Sequence, residues 1–133
     1  MRKILLLCFV CFITNCLYAQ KKFEKHLIGV WKVDVEATEA LMKEKKPELK
    51  GAMPDSEKKL LSSLRIEFQK TGKCKSSVGD KTREGTWTVE NSVLTTKING
   101  AETTFTIIGI DILEVTLHDT KKNTYLVMEN ITE

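Results

Sequence analysis

The apolar and polar positions along this chain keep two different periods. From Gly29 to Val35 they alternate, with Trp31, Val33 and Val35 on one face and Lys32 and Asp34 on the other. That is the period of a strand with one buried side. Thr38 to Lys46 is instead rich in Glu, Ala, Leu, Met and Lys, all strong helix formers. Pro47 and Gly51-Ala52-Met53-Pro54 interrupt it. Asp55-Ser56-Glu57 then reads as an N-cap and first turn, leading to Leu60, Leu61 and Leu64 on one helical face. A helix–break–helix insert over about residues 37–64 is expected after the first strand, with its leucines lying across a barrel or its mouth.

From Leu64 onward the period is 2 and the punctuation regular. Ile66 and Phe68 form one inner row, and Cys74, Ser76 and Val78 the next, beyond Thr71-Gly72. Gly79-Asp80 leads into Lys81–Val89, which carries Arg83 and Trp87 at the same parity. Leu94, Thr96 and Ile98 end at Asn99-Gly100, the strongest two-residue hairpin signal because both positions tolerate positive φ. Thr103, Phe105 and Ile107 follow, then Leu113, Val115 and Leu117, and last Tyr125 to Met128. With the first strand this makes eight strands joined by short turns. Such a series predicts a mainly β, antiparallel up-and-down barrel, since a parallel sheet would need helical crossovers.

One phrase occurs twice, as Gly29-Val30-Trp31-Lys32-Val33-Asp34 and Gly85-Thr86-Trp87-Thr88-Val89-Glu90, and holds both tryptophans. Glycine beside an indole allows close backbone approach while the ring fills the space gained. Gly29 and Trp31 are therefore expected to plug the tight end of the barrel.

The N-terminus changes the composition of the working chain. Arg2 and Lys3 precede an apolar run, Ile4–Ile13, and Leu17-Tyr18-Ala19 ends in a small residue before Gln20. Residues 1–19 thus read as a cleaved secretory signal, and 20–133 as a single exported domain, periplasmic or secreted. The alternative is a membrane-anchored lipoprotein acylated at Cys16, although Asn15 before it is a poor fit to the small residue that processing prefers. Removing residues 1–19 takes away two basic residues and no acid, so the net charge falls from +3 to +1. Three of the four cysteines go with them, leaving Cys74 without a disulfide partner. A near-neutral domain with interspersed Lys and Glu has no electrostatic footprint for nucleic acid. It must also be held together by its core.

On Gly29-Val30-Trp31 and the antiparallel series from Leu64 to Asn130, the chain resembles the small bacterial lipocalin-like domains of the calycin superfamily. Its insert between the first two strands also resembles the helix pair that lids fatty-acid-binding proteins. Those proteins generally have ten strands, against eight here, and many secreted lipocalins add a disulfide and a C-terminal helix, neither expected in this chain. The resemblance implies a barrel that binds small hydrophobic molecules. It also implies a basic residue on the first-strand indole, for which Lys121, Lys122 and Arg83 are candidates. Related bacterial domains also act as envelope components without a known ligand.

Residues that would carry chemistry are sparse. His26 and His118 lie far apart in the chain, and zinc sites need three or four ligands at suitable spacing. Cys74 alternates with Lys73 and Lys75, which would lower an exposed thiol's pKa, but its inner row suits an inert small hydrophobe. Asn130-Ile131-Thr132 matches a glycosylation sequon. No nucleophile–base arrangement, phosphate loop or paired carboxylate stands out, so no enzyme, metal or cofactor is expected. A monomeric binding protein for a small, partly hydrophobic ligand is expected, with Phe68, Trp87 and Phe105 in apolar contact and Arg83 and Thr103 orienting a polar group. A bulge at Gly85 would instead turn Arg83 outward. The alternative function is an envelope interaction or inhibitor module with a filled barrel.

Overall fold

Left-handed residues mark four of the hairpin turns after the insert: Gly72, Gly79, the Asn91-Ser92 pair, and Asn99-Gly100, with φ of 51° and 77° at the last two. Asn123 does the same between the final two strands, at φ 50°. The remaining turn is built by a side chain. Asp111 Oδ1 accepts hydrogen bonds from the backbone N–H of Leu113 at 2.7 Å and of Glu114 at 2.8 Å. These turns fold the chain, a computed structural model describing residues 23–48 and 53–132, into consecutive antiparallel hairpins.

The strands are β1 (Gly29–Val33), β2 (Leu64–Phe68), β3 (Lys73–Val78), β4 (Lys81–Glu90), β5 (Val93–Ile98), β6 (Ala101–Ile110), β7 (Glu114–Asp119) and β8 (Thr124–Asn130). Each pairs with the next, and β1 also pairs with β8, closing an eight-stranded barrel in sequence order. The fold is an antiparallel up-and-down barrel, as the alternating rows imply. Val35 departs from that alternation. It opens helix α1 (Val35–Lys45) three residues before the expected start, because the Asp34 carboxylate caps the helix by accepting from Ala37 N–H at 3.0 Å. Helix α2 (Asp55–Ser63) has Pro54 at its N-cap position with no side-chain cap, and Asp55 lies in its first turn.

The insert is only partly a lid. β1 stops at Val33 while β8 runs on past it, which would leave β8 with an unpaired edge. Helix α1 supplies the missing partners. Asp34 N–H donates to Val127 O at 2.8 Å, and Thr38 Oγ1 accepts from Val127 N–H at 3.0 Å. Met42 Sδ, one turn on, accepts from Tyr125 N–H at 3.3 Å. Thr38 is correspondingly buried. Of the leucines expected across the mouth, Leu61 and Leu64 pack against the core, whereas Leu60 is 57% exposed.

Residues 23–27 form a helical turn across one end of the barrel. Leu27 is fully buried there and Phe23 packs beside it. The signal residues 1–19 and Cys16 lie outside the described residues.

Candidate functional site

Trp31 sits on β1 directly above Leu27, with its ring fully buried and its Nε1–H donating to Leu27 O at 2.8 Å. Gly29 is needed beneath it. Its φ of 140° lies where side chains are rarely found, and a β-carbon would collide with Thr132 Oγ1. Gly29, Trp31 and Leu27 thus pack together at this end of the barrel. The only sequence signal for Leu27 was its place four residues before the indole.

The second tryptophan belongs to the same floor. Trp87 Nε1–H donates to Gln69 O at 2.9 Å, in the β2–β3 turn at the closed end. Its ring lies against Phe68, with centroids 5.2 Å apart and planes tilted by 60°. Phe68 itself is 1% exposed. Cys74, beside Phe68 in the register, is also sealed, and burial pushes its thiol pKa up. Val89, Leu94, Ile107, Val115, Leu117 and Met128 fill the rest of this half.

Towards the other end the inner rows change character. Leu64, Ile66, Ile98, Phe105 and Leu126 pack against the core but stay only partly buried. Polar pairs face them across the strands: Ser76 opposite Arg83 on β3 and β4, and Thr96 opposite Thr103 on β5 and β6. The register of β4 runs unbroken from Lys81 to Glu90, so Gly85 hosts no bulge and Arg83 keeps the parity of Trp87. The irregularity falls in β6 instead, between Ile107 and Gly109. Gly85 serves close approach, since a β-carbon there would run into Lys97 O. The register therefore sets Arg83, Thr103 and Phe105 on the inner face towards the mouth, with Arg83 exposed there, and Phe68 and Trp87 nearer the closed end.

Lys121 and Lys122 lie in the β7–β8 turn, where their backbone N–H groups donate to Asp119 Oδ1 at 3.1 and 3.2 Å. That turn and Arg83 are at the far end of β8 and β4 from Trp31, so none of the three candidates packs on its indole. Leu27 takes that place. His118 lies outside the barrel, stacked on Tyr125 with ring centroids 4.3 Å apart. Among the described residues no three His, Cys, Asp or Glu side chains gather as metal ligands would.

No protein-family model matches the chain, and neither does any curated protein. Two solved structures share its fold. A lipocalin-like protein from Bacteroides uniformis superposes with a TM-score of 0.56 at 11% identity, over 80% of this chain and 99% of its own. A DUF4847 family protein from Bacteroides vulgatus does so with a TM-score of 0.52 at 15% identity, over 80% of this chain and 95% of its own.

Proposed function

We propose that this chain is an exported, monomeric lipocalin-like binding protein whose ligand is a small, partly hydrophobic molecule held in the mouth half of the barrel. The observation that carries this reading is the contrast between the two halves of the interior. The floor is sealed by Trp31, Phe68 and Trp87, whereas Ile66, Ile98, Phe105 and Leu126 above it are apolar yet incompletely covered. Apolar surface left accessible inside a barrel gains free energy when a ligand takes it from water. An eight-stranded barrel is also at the size where the interior can hold one small molecule.

Arg83 and the Thr96–Thr103 pair give such a ligand a polar end to be oriented by. Phe105 supplies the apolar wall, and Phe68 and Trp87 set the depth of the site. Leu61 on α2 covers part of the entrance. No group in this arrangement is positioned as a nucleophile or general base, so binding and not turnover is the activity proposed. Native mass spectrometry of the protein purified from its own cells tests it. A co-purifying lipid or other small amphiphile, released on unfolding, is the expected result. Recovery of the bare chain, with no uptake of a fluorescent apolar probe, would leave the filled-barrel reading standing.

That second reading, an envelope interaction or inhibitor module, draws on a different observation. Ile108, Ile112 and Leu113 are 54%, 67% and 70% exposed on the β6–β7 hairpin, at the closed end. Exposed apolar clusters of this kind mark contact surfaces.

A further inference from the structure

We propose that the closed end of the barrel is a membrane-docking surface for a bilayer containing anionic lipid. The first observation is the apolar tip of the β6–β7 hairpin. Ile112 and Leu113 are 67% and 70% exposed, yet the backbone that carries them is tightly held. Asp111 Oδ1 accepts from Leu113 N–H and Glu114 N–H. Asn130 of β8 closes the other side, donating its backbone N–H to Leu113 O at 2.8 Å and its Nδ2–H to Ile112 O at 3.1 Å. A loop held by these four hydrogen bonds and by Asp111 N–H to Glu114 O at 2.9 Å presents two large apolar side chains to the outside. Insertion among acyl chains would remove them from water with little ordering cost.

The second observation lies on the same end. A groove of about 710 Å³ runs between the helical turn at 23–27 and the β2–β3 turn, bordered by Ile28, Lys25 and Lys70, with Trp87 at its floor. Among the described residues neither lysine is in an ion pair. Glu24 is the one acid on the groove wall, so the charges bordering it sum to +1. Ile28, 38% exposed, adds a further apolar contact. Two cations beside an apolar edge suit the phosphate of a lipid headgroup, each contributing about 1 kcal/mol near an anionic surface, so the groove supplies the attraction that the exposed Asp111 and Glu114 at the tip oppose.

The third observation is where the remaining chain joins. Phe23, the first described residue, lies at this end, and the sequence before it reads Lys21-Lys22, then Cys16, then the apolar run Ile4–Ile13. From Cys16 to Phe23 is seven residues, a reach of roughly 25 Å when extended. A lipid anchor at Cys16 would hold the closed end to a bilayer and leave the mouth at the opposite end facing away from it. The docking does not depend on the anchor, because the tip and groove are built from the barrel itself.

Vesicle co-sedimentation tests this with the chain from Gln20 to Glu133, which contains every described element of the closed barrel. The probes are vesicles of phosphatidylcholine alone and of phosphatidylcholine mixed with phosphatidylglycerol. The chain should pellet with the mixed vesicles more than with the neutral ones. The double variant Ile112→Ser/Leu113→Ser should weaken binding to both by roughly tenfold or more. Lys25→Ala/Lys70→Ala should lower binding to the anionic vesicles alone, by roughly fivefold per lysine. Leu60→Ser, which removes an exposed apolar side chain on α2 at the other end, should change nothing. Near-ultraviolet circular dichroism of the two indoles confirms that each variant keeps its fold. Equal loss with Leu60→Ser, absence of pelleting with either vesicle, or a dimer in sedimentation velocity that Ile112→Ser/Leu113→Ser abolishes without vesicle binding would each overturn the proposal.

Discussion

A β-carbon at Gly85 would meet the backbone carbonyl of Lys97 and the side chain of Ile98, because β4 and β5 pass closely there. At Gly109, in the irregular stretch of β6, the same atom would meet nothing within 4 Å. The two glycines therefore make a controlled pair. Gly85→Ala should cost about 1–3 kcal/mol, the range for forcing atoms into a filled site. Gly109→Ala should fall within about 0.5 kcal/mol of the parent, or gain slightly by stiffening the unfolded chain. Equal losses in urea denaturation would show that the close approach at Gly85 is not what demands glycine. The indoles form a second pair. Trp31→Ala should cost about 3–5 kcal/mol as the ring is deleted from a sealed site. Trp87→Phe keeps an aromatic against Phe68 but strands the carbonyl of Gln69, for about 1 kcal/mol. A Trp87→Phe loss as large as that of Trp31→Ala would mean that shape at this position outweighs the hydrogen bond.

At the scale of elements, α1 acts as a surrogate strand. Thr38→Val keeps the shape of the side chain and removes the oxygen that accepts from Val127 N–H and lies 3.3 Å from Val127 O. It should cost about 1–3 kcal/mol, and hydrogen exchange at Val127 should accelerate, while Thr38→Ser restores both. Unchanged exchange at Val127 would remove α1 from the barrel wall and return it to the role of a lid. The two helices are joined by Glu39, which pairs with Lys58 of α2 at 3.0 Å and with Lys43 one turn along α1 at 3.2 Å. The hydrogen bond from Lys58, then that from Lys43, holds the Glu39 carboxyl below its ordinary range. A carboxylate depressed in the fold contributes stability above its unfolded pKa and loses it as protons return, so the thermal midpoint should fall as pH drops below about 4.5. Glu39→Gln should flatten that decline, and parallel curves would deny the pair any role. These elements also mark what the sequence discloses. The eight strands were legible because period 2 and turn residues such as Asn99-Gly100 are local signals. The burial of Thr38 and Leu27 was not, because each answers a partner distant in sequence or a barrel end that exists only once the strands close. Asp34 as the cap of α1 was legible in principle, but the alternation through Val35 pointed the other way.

For the molecule as a whole, side-chain parity could be read from the chain and depth along the barrel axis could not. Phe68, Arg83, Trp87, Thr103 and Phe105 share the inner face as their spacing implies. How far each stands from the mouth depends on strand stagger, which no short window of sequence encodes. The stagger divides them into a floor pair, Phe68 and Trp87, and a mouth group, Arg83, Thr103 and Phe105. Binding in the mouth half then predicts a division of effects between affinity and stability. A fluorescent apolar carboxylate should be taken up, and at about a hundredfold excess over its Kd it should raise unfolding free energy by about 2.7 kcal/mol. Phe105→Ala should weaken uptake by roughly tenfold, since part of an aromatic contact of about 1.5–3 kcal/mol is lost. Arg83→Leu should weaken the carboxylate while leaving a neutral alcohol of the same chain length unaffected, because only the former needs a cation at the entrance. Trp31→Phe, within the sealed floor at the far end, should change stability and not affinity. Uptake that survives both mouth variants but disappears with Ile112→Ser/Leu113→Ser would place the probe on the outer apolar tip. The interior would then be a core that carries no ligand, and the filled-barrel module would be the better account of this chain.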